Sequence, residues 1–310
     1  MGSSQVKFAD ERLESCVRAW FSERGLALGE TIHEDDLVGK GFTHLSAVDM
    51  RIESLSGLEK CRDLTYLEIH RNRIRDLAPL AELRDLEYLF LGIGDFEATA
   101  TQRIPEAFAA YKNSNYVTDL SPLHDLPRLH YLDVAGNNEL ASIDVVATLP
   151  NLRWLVLGNN GVRDYSVLSE LKALENFGNL YGGMTDADIS NLGNAHNLYR
   201  LGIAHNRLTR LDVAAHFYRL NALVANDNQI EDISGLEALS NIEWMLLRRN
   251  RLRNIDPLLR NPFLKGNRYI DVSFNPIPIS YANAHLVEFS RRFDDGVFCC
   301  DVPFGPYVTV

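Results

Sequence analysis

The chain has 310 residues, 46% hydrophobic and 24% charged, with 42 acidic residues against 31 basic ones and a net charge of −11. That mixture excludes wholesale disorder, and the acid excess disfavours nucleic acid and anionic lipid as partners. Apolar runs are too short to span a bilayer, so no membrane insertion is expected.

The opening, MGSSQVKFADERL, has no apolar signal core, and a cytoplasmic location is expected. Cys16, Cys61, Cys299 and Cys300 offer neither a disulfide framework nor zinc spacing, which favours reduced thiols. Leu13, Cys16, Val17, Trp20 and Phe21 recur at one-face helical spacing, with Asp10 as N-cap. Thr31 and Glu34 read as a capping box opening a second short helix through Leu37. Residues 1–41 are thus expected to form a helical cap over a longer array.

That array begins at Phe42. The pattern L-x-x-L-x-L-x-x-N fits LTYLEIHRN, LHYLDVAGN and LRWLVLGNN, starting at Leu64, Leu129 and Leu152. Copies also start at Phe42, Leu86, Leu174, Leu198, Leu220, Ile242 and Asn267. The fourth and sixth positions point inward from a short strand. Apolar residues every third position afterwards, as in Ile74, Leu77, Leu80 and Leu83, suit a 3₁₀ or short helical turn. Asn72, Asn137, Asn160, Asn206, Asn228, Asn250 and Asn275 hold the ninth position, where a buried amide must find backbone partners. Asp76, Asp119, Asp164 and Asp232 precede the back-side turns as candidate caps, and Pro79, Pro122 and Pro257 fit the same turns.

These copies, with phrases such as IRDLAPLAEL and VTDLSPLHDL, resemble the leucine-rich repeat family, in the class of about 22 residues per repeat found in bacterial internalin-type proteins. The N-terminal stretch FADERLESCVRAWF is similar to the internalin-type cap. The resemblance implies an α/β repeat solenoid. It would be a curved horseshoe with short parallel strands on the concave face, 3₁₀ or short helical turns on the convex face, and helical caps. Ten repeats are expected over 42–278, with a C-terminal cap over 279–310.

One step between copies, from 86 to 129, is 43 residues, whereas the others are 22 to 25, which marks an insertion at about 92–116. Pro105 and the residues after it suggest a short helix inside it, and insertions in solenoids often border the binding face. Gly182 and Gly183 read as a bend, with Asp186 and Asp188 as turn residues. Near the end, Ile279, Ala282, Leu286, Phe289 and Phe293 keep helical spacing, and VFCCDVPF reads as a terminal strand. Asp294, Asp295 and Gly296 form a turn signal without a full calcium ligand ladder.

The odd strand positions face away from the core. Position three carries His44, Tyr66, Tyr88, Tyr131, Trp154, Asn176, Arg200, Ala222, Trp244 and Tyr269. Four consecutive copies place a large aromatic there, in adjacent strands about 4.8 Å apart. Position five adds Glu68, Phe90, Asp133, Val156 and Leu246; position seven adds small residues and Arg248. Clustered Tyr and Trp are the usual anchors of protein interfaces. The expected partner surface is Tyr66, Glu68, Tyr88, Phe90, Tyr131, Asp133, Trp154, Val156, Arg200, Trp244, Leu246, Arg248 and Tyr269. No catalytic constellation, phosphate loop, metal site or cofactor motif stands out. The reading is a monomeric, non-catalytic module for a protein or peptide partner. A glycan or small-ligand receptor and a phosphatase-regulator-type scaffold are the alternatives.

Overall fold

The computed structural model describes residues 3–92, 114–293 and 297–300. The expected helix after Pro105, the Asp294–Gly296 turn and the tail beyond residue 300 lie outside these residues. The chain divides into two compact units, whose described parts are 3–92 with 114–163, and 164–293 with 297–300.

The first unit opens with β1 (Gln5–Val6), α1 (Glu11–Glu23), β2 (Ile32–His33) and α2 (Glu34–Leu37), β1 pairing antiparallel with β2. Asp10 caps α1 as expected, accepting from Arg12 N at 2.9 Å. Its other oxygen accepts from Glu53 N at 2.8 Å, which ties the cap to the first repeat. Leu13, Val17 and Phe21 are buried, and Trp20 stands 4.8 Å from the Phe42 ring. The second capping box differs from expectation. His33 is the cap and Asp36 returns to its backbone N–H at 2.7 Å, because β2 carries the chain past Thr31 before the turn begins.

Five strands follow in parallel order: β3 (His44–Ser46), β4 (Tyr66–Glu68), β5 (Tyr88–Phe90), β6 (Tyr131–Asp133) and β7 (Trp154–Val156). Each begins two residues after its copy, with third position opposite third position. Leu67, Leu89, Leu132 and Leu155 enter the core beside Ile69, Leu91, Val134 and Leu157. The returns are 3₁₀ turns at Leu58–Lys60, Ala78–Glu82, Ser121–Leu123 and Asp144–Thr148. Asp76 and Asp119 cap them, accepting from Ala78 N at 2.8 Å and Ser121 N at 2.7 Å.

The second unit repeats the plan with β8 (Asn176–Gly178), α3 (Asp186–Ser190), β9 (Arg200–Gly202), β10 (Ala222–Val224), β11 (Trp244–Leu246), α4 (Asp256–Arg260), β12 (Tyr269–Asp271) and β13 (Val297–Cys299). Its strands are parallel and neighbours in sequence, and β13 is the terminal strand read from VFCC. Asp164 and Asp232 cap their turns through Ser166 N and Ser234 N. Asp186 and Asp188 belong to α3: Asp188 closes a capping box with Thr185, and Asp186 holds Thr209 N at 2.8 Å. A helical stretch over Ile279–Ser290, with a π turn at Ala282–Leu286, buries Ala282, Leu286 and Phe289, and Phe293 is buried just beyond its end. Ile279 is the correction there. It sits in the first turn directly after Pro278 and is 57% exposed.

The asparagine column does what its position requires. In Asn72, Asn206, Asn228, Asn250 and Asn275 the side-chain N–H bonds reach carbonyls three residues back and in the preceding repeat, at 2.7 to 3.2 Å. Each side-chain oxygen accepts a backbone N–H of the preceding repeat's return, such as Ile52, Met184 or Ile230. Asn115 is an additional member. It accepts from Ile74 N and donates to Ile69 O and Leu91 O, supplying the ninth position to the copy that the insertion interrupts.

Candidate partner-binding surface

Parallel pairing in register brings the third-position side chains of the first unit into one column. His44 stacks on Tyr66 at 5.3 Å between ring centroids; Tyr66–Tyr88, Tyr88–Tyr131 and Tyr131–Trp154 follow at 6.1, 6.4 and 5.4 Å. Phe90 lies alongside, 5.1 Å from Tyr66 and 4.4 Å from Tyr131. Tyr88 is 41% exposed, and Tyr66, Phe90, Tyr131 and Trp154 are half-buried. Interplanar angles of 15° to 42° along the column turn ring faces toward their neighbours. Glu68 borders the column, accepting from Ser46 Oγ at 2.8 Å and meeting His70 Nε2 at 3.0 Å. Burial, with Glu68 nearby, raises the Tyr66 hydroxyl above its ordinary range, so it stays a neutral donor at physiological pH.

Other expected surface residues are inside. Asp133 is 2% exposed, its carboxylate turned back onto Ala135 N at 2.9 Å. Val156 is 4% exposed and Leu246 fully buried. At the fifth position Ser46, Glu68 and Phe90 reach outward, whereas from Asp133 onward through Asp271 every described fifth-position residue is covered.

The second unit presents a different face. Trp244 stacks on Tyr269 at 4.2 Å and 11°, while Arg200 and Arg248 are half-buried. Arg248 Nε lies 3.5 Å from Asp271 Oδ2, and the Arg248 and Arg249 guanidiniums each stand 5.1 Å from the Phe274 ring. The eighth position, which sequence reasoning passed over, forms a ridge. Tyr181 stacks on His205 at 4.1 Å, His205 Nε2 is 3.6 Å from Asp227, and Asp227 is 4.0 Å from Arg249. Asp49, Arg71, Asn159, Tyr181, His205, Asp227, Arg249 and Phe274 all have φ between 48° and 60°, the left-handed turn that carries the chain off each strand. The available signal was positional: the residue before the ladder asparagine.

The tandem copies, in-register parallel strands and asparagine ladder together define the leucine-rich repeat fold. No protein-family model matches the chain. Leucine-rich repeat-containing protein 23 of Bos taurus is 27% identical over 185 residues, which are 53% of this chain and 54% of that protein. The chain thus spans about half the length of that relative. Among solved structures, internalin InlF of Listeria monocytogenes matches with a TM-score of 0.60 at 21% identity, over 95% of this chain and 92% of that one. The functional domain of InlJ from the same organism gives 0.64 at 24% identity, over 89% and 54%. The plant peptide hormone receptor RGFR1, solved in complex with RGF2, gives 0.55 at 13% identity, over 79% and 41%. In fold, the chain is internalin-like. Among the described residues no helix is long and apolar enough to cross a membrane, and no group of three or more His, Cys, Asp or Glu side chains could hold a metal ion.

Proposed function

We propose that the chain is a non-catalytic recognition module that binds a protein or peptide partner on the aromatic face of its first unit. The observation that carries this reading is the column from His44 to Trp154 with Phe90 beside it. Tyr and Trp supply large contact area at low entropic cost, and such anchors dominate interface energetics. RGFR1 has the same fold and was solved with RGF2, which supports a peptide or protein ligand for a solenoid of this kind. Rings turned toward one another offer few open faces for stacking on sugars, which disfavours a glycan. Trp244, Tyr269, Arg200 and Arg248 form a secondary contact region within the second unit.

The insertion is proposed to take part in the same binding, because its described flank Gly92 follows Phe90 of β5 by two residues. Residues 1–41 and 279–310 serve as caps, and the module acts as a monomer. Free Cys16 and Cys61 favour a reducing compartment. The test is a pull-down with wild-type chain beside a Tyr66→Ala/Tyr88→Ala/Trp154→Ala variant of matched melting temperature. Proteins retained by both equally would refute the assignment of the face, and selective capture on a glycan array would refute the ligand class.

A further inference from the structure

A basic pocket in the last repeats of the second unit carries an inference independent of the aromatic column. We infer that it is a binding site for a small organic phosphate. The open pocket, about 630 Å³ in volume, is lined by Pro262, Leu264, Lys265, Gly266, Arg291 and Arg292. That volume suits a small molecule, for which pockets of about 300–1,000 Å³ are usual. Two segments far apart in sequence make its walls, and hydrogen bonds fasten one to the other. Gly266, at φ 71°, donates its N–H to Arg292 O at 2.7 Å. Arg292 Nη1 donates to Leu259 O at 2.9 Å, and the guanidinium stands 5.2 Å from the Phe289 ring. That side-chain bond uses one N–H of the guanidinium fork and leaves the other donors to a ligand.

Charge decides the class of ligand. Nearby, Arg249, Arg251, Arg260 and Arg268 each have a carboxylate oxygen of the preceding repeat within 4.0 Å. Among the described residues, Lys265, Arg291 and Arg292 have no such partner, and no carboxylate lines the pocket. Three cations around one concavity repel one another, although the chain as a whole has a net charge of −11. An anion held between them relieves that repulsion. A carboxylate brings a single charge. A phosphate monoester brings about −1.5 to −2 and more acceptor oxygens, which suits two guanidiniums with an ammonium beside them. Pro262 and Leu264 add apolar lining, which favours an organic body on the phosphate over the bare ion.

The experiment is titration calorimetry of the full chain with phenyl phosphate, beside benzoate and inorganic phosphate at matched ionic strength. Phenyl phosphate should bind at one site, at least tenfold more tightly than benzoate and several-fold more tightly than inorganic phosphate. Lys265 and Arg291 are exposed, so Lys265→Ala/Arg291→Ala should keep the melting temperature while weakening phenyl phosphate at least tenfold. Should that variant fail to fold, Arg291→Gln alone should weaken it several-fold. No binding beyond a chloride control, or equal binding by the folded variant, would overturn the site. Benzoate bound as tightly as phenyl phosphate would overturn the phosphate. A phosphoserine peptide preferred at least tenfold over phenyl phosphate would overturn the small molecule. None of these results bears on the aromatic column, whose own test is the pull-down above.

Discussion

The two units share a backbone register and present opposite chemistries. In the first, the third strand positions are His44, Tyr66, Tyr88, Tyr131 and Trp154, with Glu68 at the border. In the second they are Asn176, Arg200, Ala222, Trp244 and Tyr269, with Arg248 and Asp271 beside them and the Tyr181–Phe274 ridge along the turn. The inward positions scarcely differ between units: aliphatic, Met or Phe at the fourth, almost always aliphatic at the sixth. The ladder and the core thus determine where side chains stand, while the outward positions are free to vary with the partner.

The largest effect should fall on binding. Tyr131→Ala/Trp154→Ala should cost a captured partner at least a hundredfold in affinity, at about 2 kcal/mol or more per central anchor. Trp244→Ala/Tyr269→Ala should cost far less. Titration calorimetry beside thermal melts would make the comparison, and equal losses would erase the distinction between units.

Stability should separate the ladder positions next. Asn250 accepts from Ile230 N and donates to Ala225 O, Leu247 O and Arg248 O, whereas among the described residues Asn160 accepts only from Asn137 N and its buried Nδ2 has no partner. Asn250→Ala should lower unfolding free energy by about 1–3 kcal/mol, the cost of stranding buried backbone groups. Asn160→Ala should cost clearly less, and urea midpoints shifted equally would contradict the unequal bonding.

A smaller effect concerns pH. Burial pushes His205 below its ordinary value of 6.5, against the pull of Asp227 and with help from Arg249. The unfolded chain then binds the proton more readily than the folded one. Stability contributed at this site is complete above 6.5 and falls as pH drops from there through the folded value. His205→Asn, which tolerates the left-handed turn, should flatten that part of the melting-temperature profile. An unchanged slope would place the dependence elsewhere. The smallest shift is expected from deleting 93–113 and joining Gly92 to Ser114. Its melting temperature should stay near wild type, while a deletion that also removes Asn115 should lose a ladder position and melt lower.

Repeat starts, strand positions, turn caps and the buried asparagines were legible because each follows from a periodic pattern with one physical cause. The site was legible only in part. Alternation places Asp133, Val156 and Leu246 outward, yet all three are buried, and alternation within one repeat carries no information on what covers its side chains in the assembled array. The His33 cap was hidden by a two-residue strand pairing with Gln5–Val6, a contact between segments far apart in sequence. The eighth-position ridge escaped because residue type there is unrestricted while the backbone is not.

Asn115 gives the interrupted repeat an uncommon independence from its own peptide chain. Ser114 O accepts from Asn72 N at 3.0 Å, Ser114 N donates to Gly136 O at 3.0 Å, and Gly92 N donates to Asp133 O at 2.9 Å. Both sides of the gap are thus fastened to neighbouring repeats, and Asn115 Nδ2 also donates to Leu91 O across it. These bonds lie outside 93–113, so covalent continuity between 92 and 114 is expected to be dispensable for the architecture. Two fragments, 1–92 and 114–310, should find one another and reassemble when co-expressed, and foreign sequence of almost any length should be accepted at this one seam.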